Sequence, residues 1–306
     1  MKAVVIHAYG GPDVLKFEDV PDPVPGNGEV LVKILATNVN PIDYKIRSGA
    51  VKGYVTLPAV LGQDLSGIVA ALGGGVTKFK VGDKVFAAVS HTYASLCIVK
   101  ETDLARVPDG LDIEQAAALP TVTLTGSQLA RLTLSQSPKG SVLVAGAAGS
   151  VGRSAVFVAK EKGATVYAGV RASQKTEAKQ IDADFVVALD DEEAVRNLKP
   201  LDAVADAVNG KTAQLLIGKV KPGGVFASVL GQPANAAAHL EVAAKAMQVH
   251  PDVEMLVHMA EAVRDGKLAI PIREKFPLSE ASKLTRPQNK GSAARFCCLP
   301  RRVWLV

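Results

Sequence analysis

The chain has 306 residues, of which 48% are hydrophobic and 21% charged, with a formal net charge of +5. That length allows two domains with separate cores, and the composition excludes a disordered or collagen-like chain. Lysines and arginines are scattered rather than gathered into a stripe, which suits anionic small ligands better than nucleic acid. The three cysteines, Cys97, Cys297 and Cys298, form neither a disulfide framework nor a metal-ligand spacing, so a cytoplasmic setting is expected.

The amino terminus, Met-Lys-Ala-Val-Val-Ile-His, runs directly into an apolar strand and lacks the features of a secretory leader. Over residues 1 to about 115, strands are expected at 3–7, 30–36, 66–72, 84–89 and 95–99, separated by breakers such as Gly10-Gly11-Pro12 and Gly73-Gly74-Gly75. Helical spacing begins near Ile113, with helices expected over 113–118 and 123–132. Strands predicted at 142–145, 165–170, 185–188, 203–207 and 225–229 then alternate with helices at 173–181, 190–197 and 212–220. Such alternation requires right-handed βαβ crossovers and gives an α/β fold with a doubly wound parallel sheet. One more helix is expected over 251–266, followed by an extended segment near 269–272.

The segment 141–163 is the most informative. Val142 to Ala145 form an apolar run suited to a buried parallel strand, and Val151, Ala155, Val156, Val158 and Ala159 fall on one helical face before Gly163 closes the helix. Between them lie Gly146, Ala148, Gly149, Ser150, Val151 and Gly152. There, absent or small side chains let backbone N–H groups approach a pyrophosphate at the positive end of the helix dipole. The spacing departs from G-x-G-x-x-G, since Ala147 stands where the first glycine belongs and an additional Gly146 precedes it. An ordinary glycine-rich turn is the competing reading, and the βαβ context argues against it. The low charge of 141–159 also mimics a membrane span, against which the mid-segment glycines argue.

NAD-selective enzymes of this fold carry Asp or Glu at the end of the second strand, where it binds the ribose 2′-hydroxyl and repels a 2′-phosphate. Here Val170 is followed by Arg171-Ala172-Ser173-Gln174-Lys175, with no acid before Glu177. Arg171, Ser173 and Lys175 suit a phosphate, so NADPH is the expected cofactor; a solvated basic turn is the alternative.

An ordered set of short motifs resembles a known family. It includes Gly28-Glu29-Val30-Leu31-Val32, Asn40-Pro41-Ile42-Asp43, Pro58-Ala59-Val60-Leu61-Gly62, Val81-Gly82-Asp83-Lys84-Val85, Ala116-Ala117-Ala118-Leu119-Pro120, Gly149-Ser150-Val151-Gly152 and Lys221-Pro222-Gly223-Gly224. Together these resemble the zinc-independent quinone oxidoreductase branch of the medium-chain dehydrogenase/reductase superfamily, over residues 1 to about 285. The resemblance implies a GroES-like β-rich substrate domain over 1–117, an NADP-binding Rossmann domain over 118–266 and a segment, 267–306, returning to the first domain, with the active site in the cleft between the domains. A homodimer is also common among similar proteins.

The same resemblance implies roles for particular residues. Where zinc-dependent relatives have a ligand cysteine this chain has the stretch 38–43, and where they have Gly-His-Glu it has Gly62-Gln63-Asp64, so no metal site is expected. Asn40 is the leading candidate to donate to a substrate oxygen or the nicotinamide ribose, and Asp43 and Tyr44 are candidate proton relays. For each, a structural role is the alternative: an Asn-Pro turn, a helix-start carboxylate and a packed ring. Thr123 resembles a threonine near the nicotinamide and phosphates, with a buried helix hydroxyl back-bonded to its own turn as the alternative, while Val208, Leu230 and Gly231 fall where relatives hold the nicotinamide by backbone contacts and are, as bare sequence, ordinary turns. Tyr93-Ala94-Ser95 reads as strand packing.

The implied activity is NADPH-dependent reduction of quinones or α,β-unsaturated carbonyl compounds. Two rivals stand beside it: an alkenal or enone double-bond reductase with little quinone activity, and a non-catalytic NADPH- or RNA-binding protein on the same scaffold. Residues 286–306 lack clean alternation and read as a divergent or frame-altered tail rather than a ligand site.

Overall fold

The computed structural model describes residues 1–284 and 296–299. Two compact units are formed, one by Met1–Thr121 with Pro251–Val306 and the other by Val122–His250.

The first unit begins with β1 (Lys2–Ile6), β2 (Leu15–Asp19), β3 (Glu29–Asn38), α1 (Pro41–Ser48), β4 (Ala59–Val60), β5 (Asp64–Leu72), β6 (Lys84–Ala88), β7 (Leu96–Lys100), β8 (Ala105–Arg106) and α2 (Ile113–Ala117). β1 pairs antiparallel with β2 and β4. β3 carries the larger sheet, pairing antiparallel with β5 and with β7. Its alternation places Val30, Val32, Ile34 and Ala36 on the buried face, and the first three pack with Leu65, Val69, Val85 and Val99. The Asn-Pro stretch opens α1: Asn40 is extended, Pro41 occupies the first turn, where no backbone N–H is needed, and Gly49 at φ 80° ends the helix. Ile46 from this helix joins Val4, Ile6, Leu61 and Tyr93 in a second core.

α3 (Pro120–Thr133) leads into β9 (Ser141–Ala145), α4 (Ser150–Glu161), β10 (Thr165–Val170), α5 (Lys175–Ala178), β11 (Phe185–Ala188), α6 (Glu192–Arg196), β12 (Leu201–Asp206), α7 (Gly210–Ile217), β13 (Val220–Ser228) and β14 (Ala243–Ala246). The six strands are all parallel, in the order β11-β10-β9-β12-β13-β14. That is the doubly wound dinucleotide-binding arrangement, with the direction of winding reversed between β9 and β12. Leu143, Val204, Leu216, Ile217 and Phe226 form its core. The unit closes where the Gln128 amide exchanges hydrogen bonds with His250, donating to its carbonyl at 2.7 Å and accepting from its N–H at 3.0 Å. The expected helix 173–181 is instead a 3-10 turn, Ala172–Gln174, followed by the four-residue α5. The stretch 141–159, apolar enough to suggest a span, is split into β9 and α4, and among the described residues no helix is long and apolar enough to cross a membrane.

The chain returns to the first unit with α8 (Val253–Arg264), β15 (Glu274–Pro277), α9 (Ala281–Leu284) and β16 (Phe296–Leu299). α8 packs beside β8, so it falls with the first unit and not with the span 118–266 expected for the Rossmann domain. The extended segment expected at 269–272 forms no strand. Leu268 and Ile270 are buried there, and the Ile270 carbonyl accepts the Gln115 amide at 2.9 Å, so a side-chain contact replaces a ladder; β15 follows it. β16 lies between β15 and β3, with Cys297 opposite Asn38 and Cys298 opposite Thr37. The rest of 286–306 lies outside the described residues.

Candidate active site

β9 ends at Ala145 and β12 at Asp206, the two strands between which the winding reverses, and open parallel sheets bind their ligands at such a point. Gly146 follows with φ 80°, and a Cβ there would lie 3.0 Å from Val208 Cγ2. The N–H groups of Gly146 and Ala147 both donate to the Gly169 carbonyl, at 2.9 and 3.1 Å, which fixes the loop to β10. Gly152 is needed for another reason: a Cβ would stand 2.2 Å from the Gly146 carbonyl oxygen and 2.6 Å from Ala147 Cα. α4 therefore starts in direct contact with the loop. Its first intrahelical bond runs from the Arg153 N–H to the Gly149 carbonyl at 2.8 Å, so Ser150, Val151 and Gly152 supply the forward-facing N–H groups of its first turn. A cradle that even a methyl group would fill, at the positive end of a twelve-residue helix, fits a nucleotide pyrophosphate.

At the end of β10, the side chains of Arg171, Ser173 and Lys175 are exposed. The chain brings an acid here that linear reading misses: Asp190, beyond β11, accepts the Ala172 N–H at 2.7 Å. Thr123 is fully buried in α3.

Beyond β12 the buried Asp206 organises two loops. One of its oxygens accepts the N–H groups of Val208 and Asn209, each at 3.0 Å, and the other accepts the Ser228 hydroxyl at 2.7 Å. Ser228 in turn accepts the Leu230 N–H at 3.1 Å, and the Asn209 amide donates to the Leu230 carbonyl at 2.9 Å. Val208 and Leu230, far apart in sequence and both partly exposed, are thus held in one loop cluster together with Gly231 at φ 97°.

The first unit contains a separate polar network, built where β3, α1 and β5 meet. Asp64, fully buried, accepts the Thr121 N–H at 2.7 Å and hydroxyl at 2.6 Å on one oxygen, and the amides of Asn40 at 2.7 Å and Asn38 at 3.1 Å on the other. Burial still raises its carboxyl above the usual carboxylate range, outweighing these donors. Thr37 donates to the Asp64 carbonyl at 2.6 Å and meets the Thr92 hydroxyl at 2.9 Å. Asp43 stands at the third position of α1 and accepts the Asn40 N–H at 2.7 Å and the Tyr93 hydroxyl at 3.0 Å. Burial, with the Asp64 carboxyl nearby, pushes it up to about 7 despite those bonds. Its Oδ1 has no hydrogen-bond partner among the described residues, although the Gly62 N–H lies near enough to favour the charged form.

Asn40 and Asp43 are therefore brought together, each almost completely buried, while Tyr44 sits half-buried on the next position of α1. Sequence reasoning missed Asp64, Tyr93 and Asp206. For Asp64 and Asp206 a signal was present, a carboxylate at the edge of an apolar strand, where burial demands partners. Among the described residues no three His, Cys, Asp or Glu side chains are grouped as metal ligands.

Residues 26–127 match the alcohol dehydrogenase GroES-like domain family, and residues 181–293 the zinc-binding dehydrogenase family. The chain is 31% identical over 316 residues to a chloroplast envelope quinone oxidoreductase homolog from Arabidopsis thaliana, covering 96% of each. Its fold superposes on the quinone oxidoreductase from Coxiella burnetii with a TM-score of 0.86 at 29% identity, covering 98% of this chain and 99% of the other. A mycobacterial structure complexed with NADPH gives a TM-score of 0.82 at 27% identity, covering 98% of this chain and all, 100%, of the other. The chain belongs to the medium-chain dehydrogenase/reductase superfamily, in its quinone oxidoreductase branch.

Proposed function

We propose that this oxidoreductase uses NADPH, without zinc, to reduce quinones or α,β-unsaturated carbonyl compounds. The observation that carries the reading is the placement, on neighbouring strands of one sheet, of the glycine cradle after β9 and the basic turn after β10. The first-turn N–H groups of α4 hold the pyrophosphate, Arg171, Ser173 and Lys175 take the 2′-phosphate, and the backbone at Val208, Leu230 and Gly231 orients the nicotinamide. When bound, the nicotinamide supplies the hydride. NADPH in a mycobacterial relative of the same fold supports the choice of cofactor.

A quinone or enone accepts hydride at a conjugated carbon and spreads the developing charge, which hydrogen-bond donors can stabilise without a metal. In this reading Asn40, whose amide is fixed by Asp64, donates to the acceptor oxygen. Asp43, which accepts the Tyr93 hydroxyl, holds a proton near neutral pH, and Tyr44, the next residue of α1, is the second candidate proton relay. Independence from zinc is supported by Asp64 itself: both its oxygens are engaged by the donors of Asn38, Asn40 and Thr121, which leaves no lone pair directed at a metal. The test is a steady-state assay of NADPH and NADH oxidation with a quinone and an alkenal side by side, before and after dialysis against a strong chelator. Turnover of either acceptor with NADPH, unchanged by the chelator, is expected. Absence of NADPH oxidation with both, or activity lost on chelation and restored by zinc alone, refutes the proposal.

A further inference from the structure

Arg153 is the one charged side chain in the apolar stretch 141–159, and the sequence offers no reason for it. It lies on the second turn of α4, only 7% exposed, and its guanidinium reaches in two directions. Nε donates to the Ala148 carbonyl, within the glycine loop, at 3.0 Å, and a terminal nitrogen pairs with the Glu177 carboxylate at 2.7 Å. Glu177 belongs to α5, which opens with Lys175 and directly follows the turn that carries Arg171 and Ser173. One buried cation thus links the loop that fits a pyrophosphate to the segment that fits a 2′-phosphate.

The charges around that turn show what the link achieves. Two carboxylates approach it, Asp190 and Glu177. Asp190 is engaged by the Ala172 N–H, whereas Glu177 is 36% exposed and paired with Arg153. A carboxylate near the end of the second strand is the feature that turns this fold away from a 2′-phosphate. Here that charge is present but neutralised by a partner buried beneath it, and buried partners are screened by salt much less than surface ones.

We propose that Arg153 is a positioning and specificity residue, which preserves the preference for the 2′-phosphorylated cofactor by holding and neutralising Glu177. This rests on the NADPH reading above and assigns discrimination to a side chain that need not touch the cofactor. Loss of Arg153 leaves Glu177 with an unopposed charge beside the basic turn and penalises NADPH far more than NADH. A purely structural role, acting through the Ala148 carbonyl, would loosen the cradle and weaken both cofactors alike.

The test is titration calorimetry of NADPH and NADH with wild type, Arg153→Met, Glu177→Gln and the double variant, at low and high salt. In Arg153→Met the ratio of NADPH to NADH dissociation constants is expected to rise roughly tenfold, less so at high salt. In the double variant it is expected to return to within about twofold of wild type, because the offending charge is gone. Equal weakening of both cofactors in Arg153→Met, or a ratio that Glu177→Gln does not restore, overturns the proposal. Should Arg153→Met not fold, Arg153→Gln, whose amide can still donate to the Ala148 carbonyl, takes its place: a raised ratio that Glu177→Gln restores supports the proposal, and an unchanged ratio overturns it. Wild type binding neither cofactor would instead defeat the NADPH reading.

Discussion

Replacing Asp43 by Asn gives the sharpest test of the buried network. The folded protein holds this carboxyl at about 7, against 3.8 for an exposed aspartate. Because the folded state binds the proton more tightly, Asp43 contributes stability that is present at low pH and is lost as pH rises through the folded value. Integrating between about pH 5 and about pH 8, that loss is on the order of 2 to 3 kcal/mol. Asn keeps an oxygen for the Asn40 N–H and the Tyr93 hydroxyl and carries no charge at any pH. The stability of Asp43→Asn relative to wild type should therefore increase by that amount over the same interval, as measured by urea unfolding of both proteins across the pH range. A stability difference that does not change with pH would mean the carboxylate is ionised throughout, and that the donors around it outweigh burial.

Gly152→Ala places a methyl carbon 2.2 Å from the Gly146 carbonyl oxygen, so α4 must move off its loop. A loss of about 1–3 kcal/mol in urea unfolding is expected, and wild-type stability would contradict the close contact. Asp206→Ala removes the acceptor for Val208, Asn209 and Ser228 and should cost about 1–3 kcal/mol. It should also weaken both cofactors to a similar extent in calorimetry, and unchanged binding would separate these loops from the cofactor site. Arg171→Ala should weaken NADPH roughly ten- to hundredfold and leave NADH nearly unaffected; equal losses would show that Arg171 does not read the phosphate.

The parts of this protein legible in its sequence are those written in contiguous residues. The run from β9 through the glycine loop to α4 combines a hydrophobic pattern, a switch of period and glycines at required positions, and Gly152 stands where a side chain would strike the loop. The long strands of the first unit declared themselves by alternation, whereas β4 and β8, of two residues each, are too short to show a period. α1 was legible only in part: Asn-Pro signals a turn as readily as a helix start, and of the two it is the reading of Asp43 as a helix-start carboxylate that matches the carboxylate folding back on the Asn40 N–H. Contacts across long separations were illegible in principle. Asp64 meets Thr121 and Arg153 meets Glu177 because the topology brings them together, and nothing local to either residue names its partner.

The discontinuity of the first unit bears on how the protein is made. A ribosome releases the segment Met1–Thr121, then all of Val122–His250, before the residues that finish the first unit. The second unit is continuous and can assemble as soon as it emerges, whereas the end of β3 at Thr37 and Asn38 waits for β16. Throughout elongation that end of the strand lacks its second neighbour, leaving a short unpaired edge of the kind that nascent chains join to one another. The segment that removes this hazard is translated only after the whole second unit, and chains interrupted between about residue 250 and residue 296 should depend most heavily on chaperones.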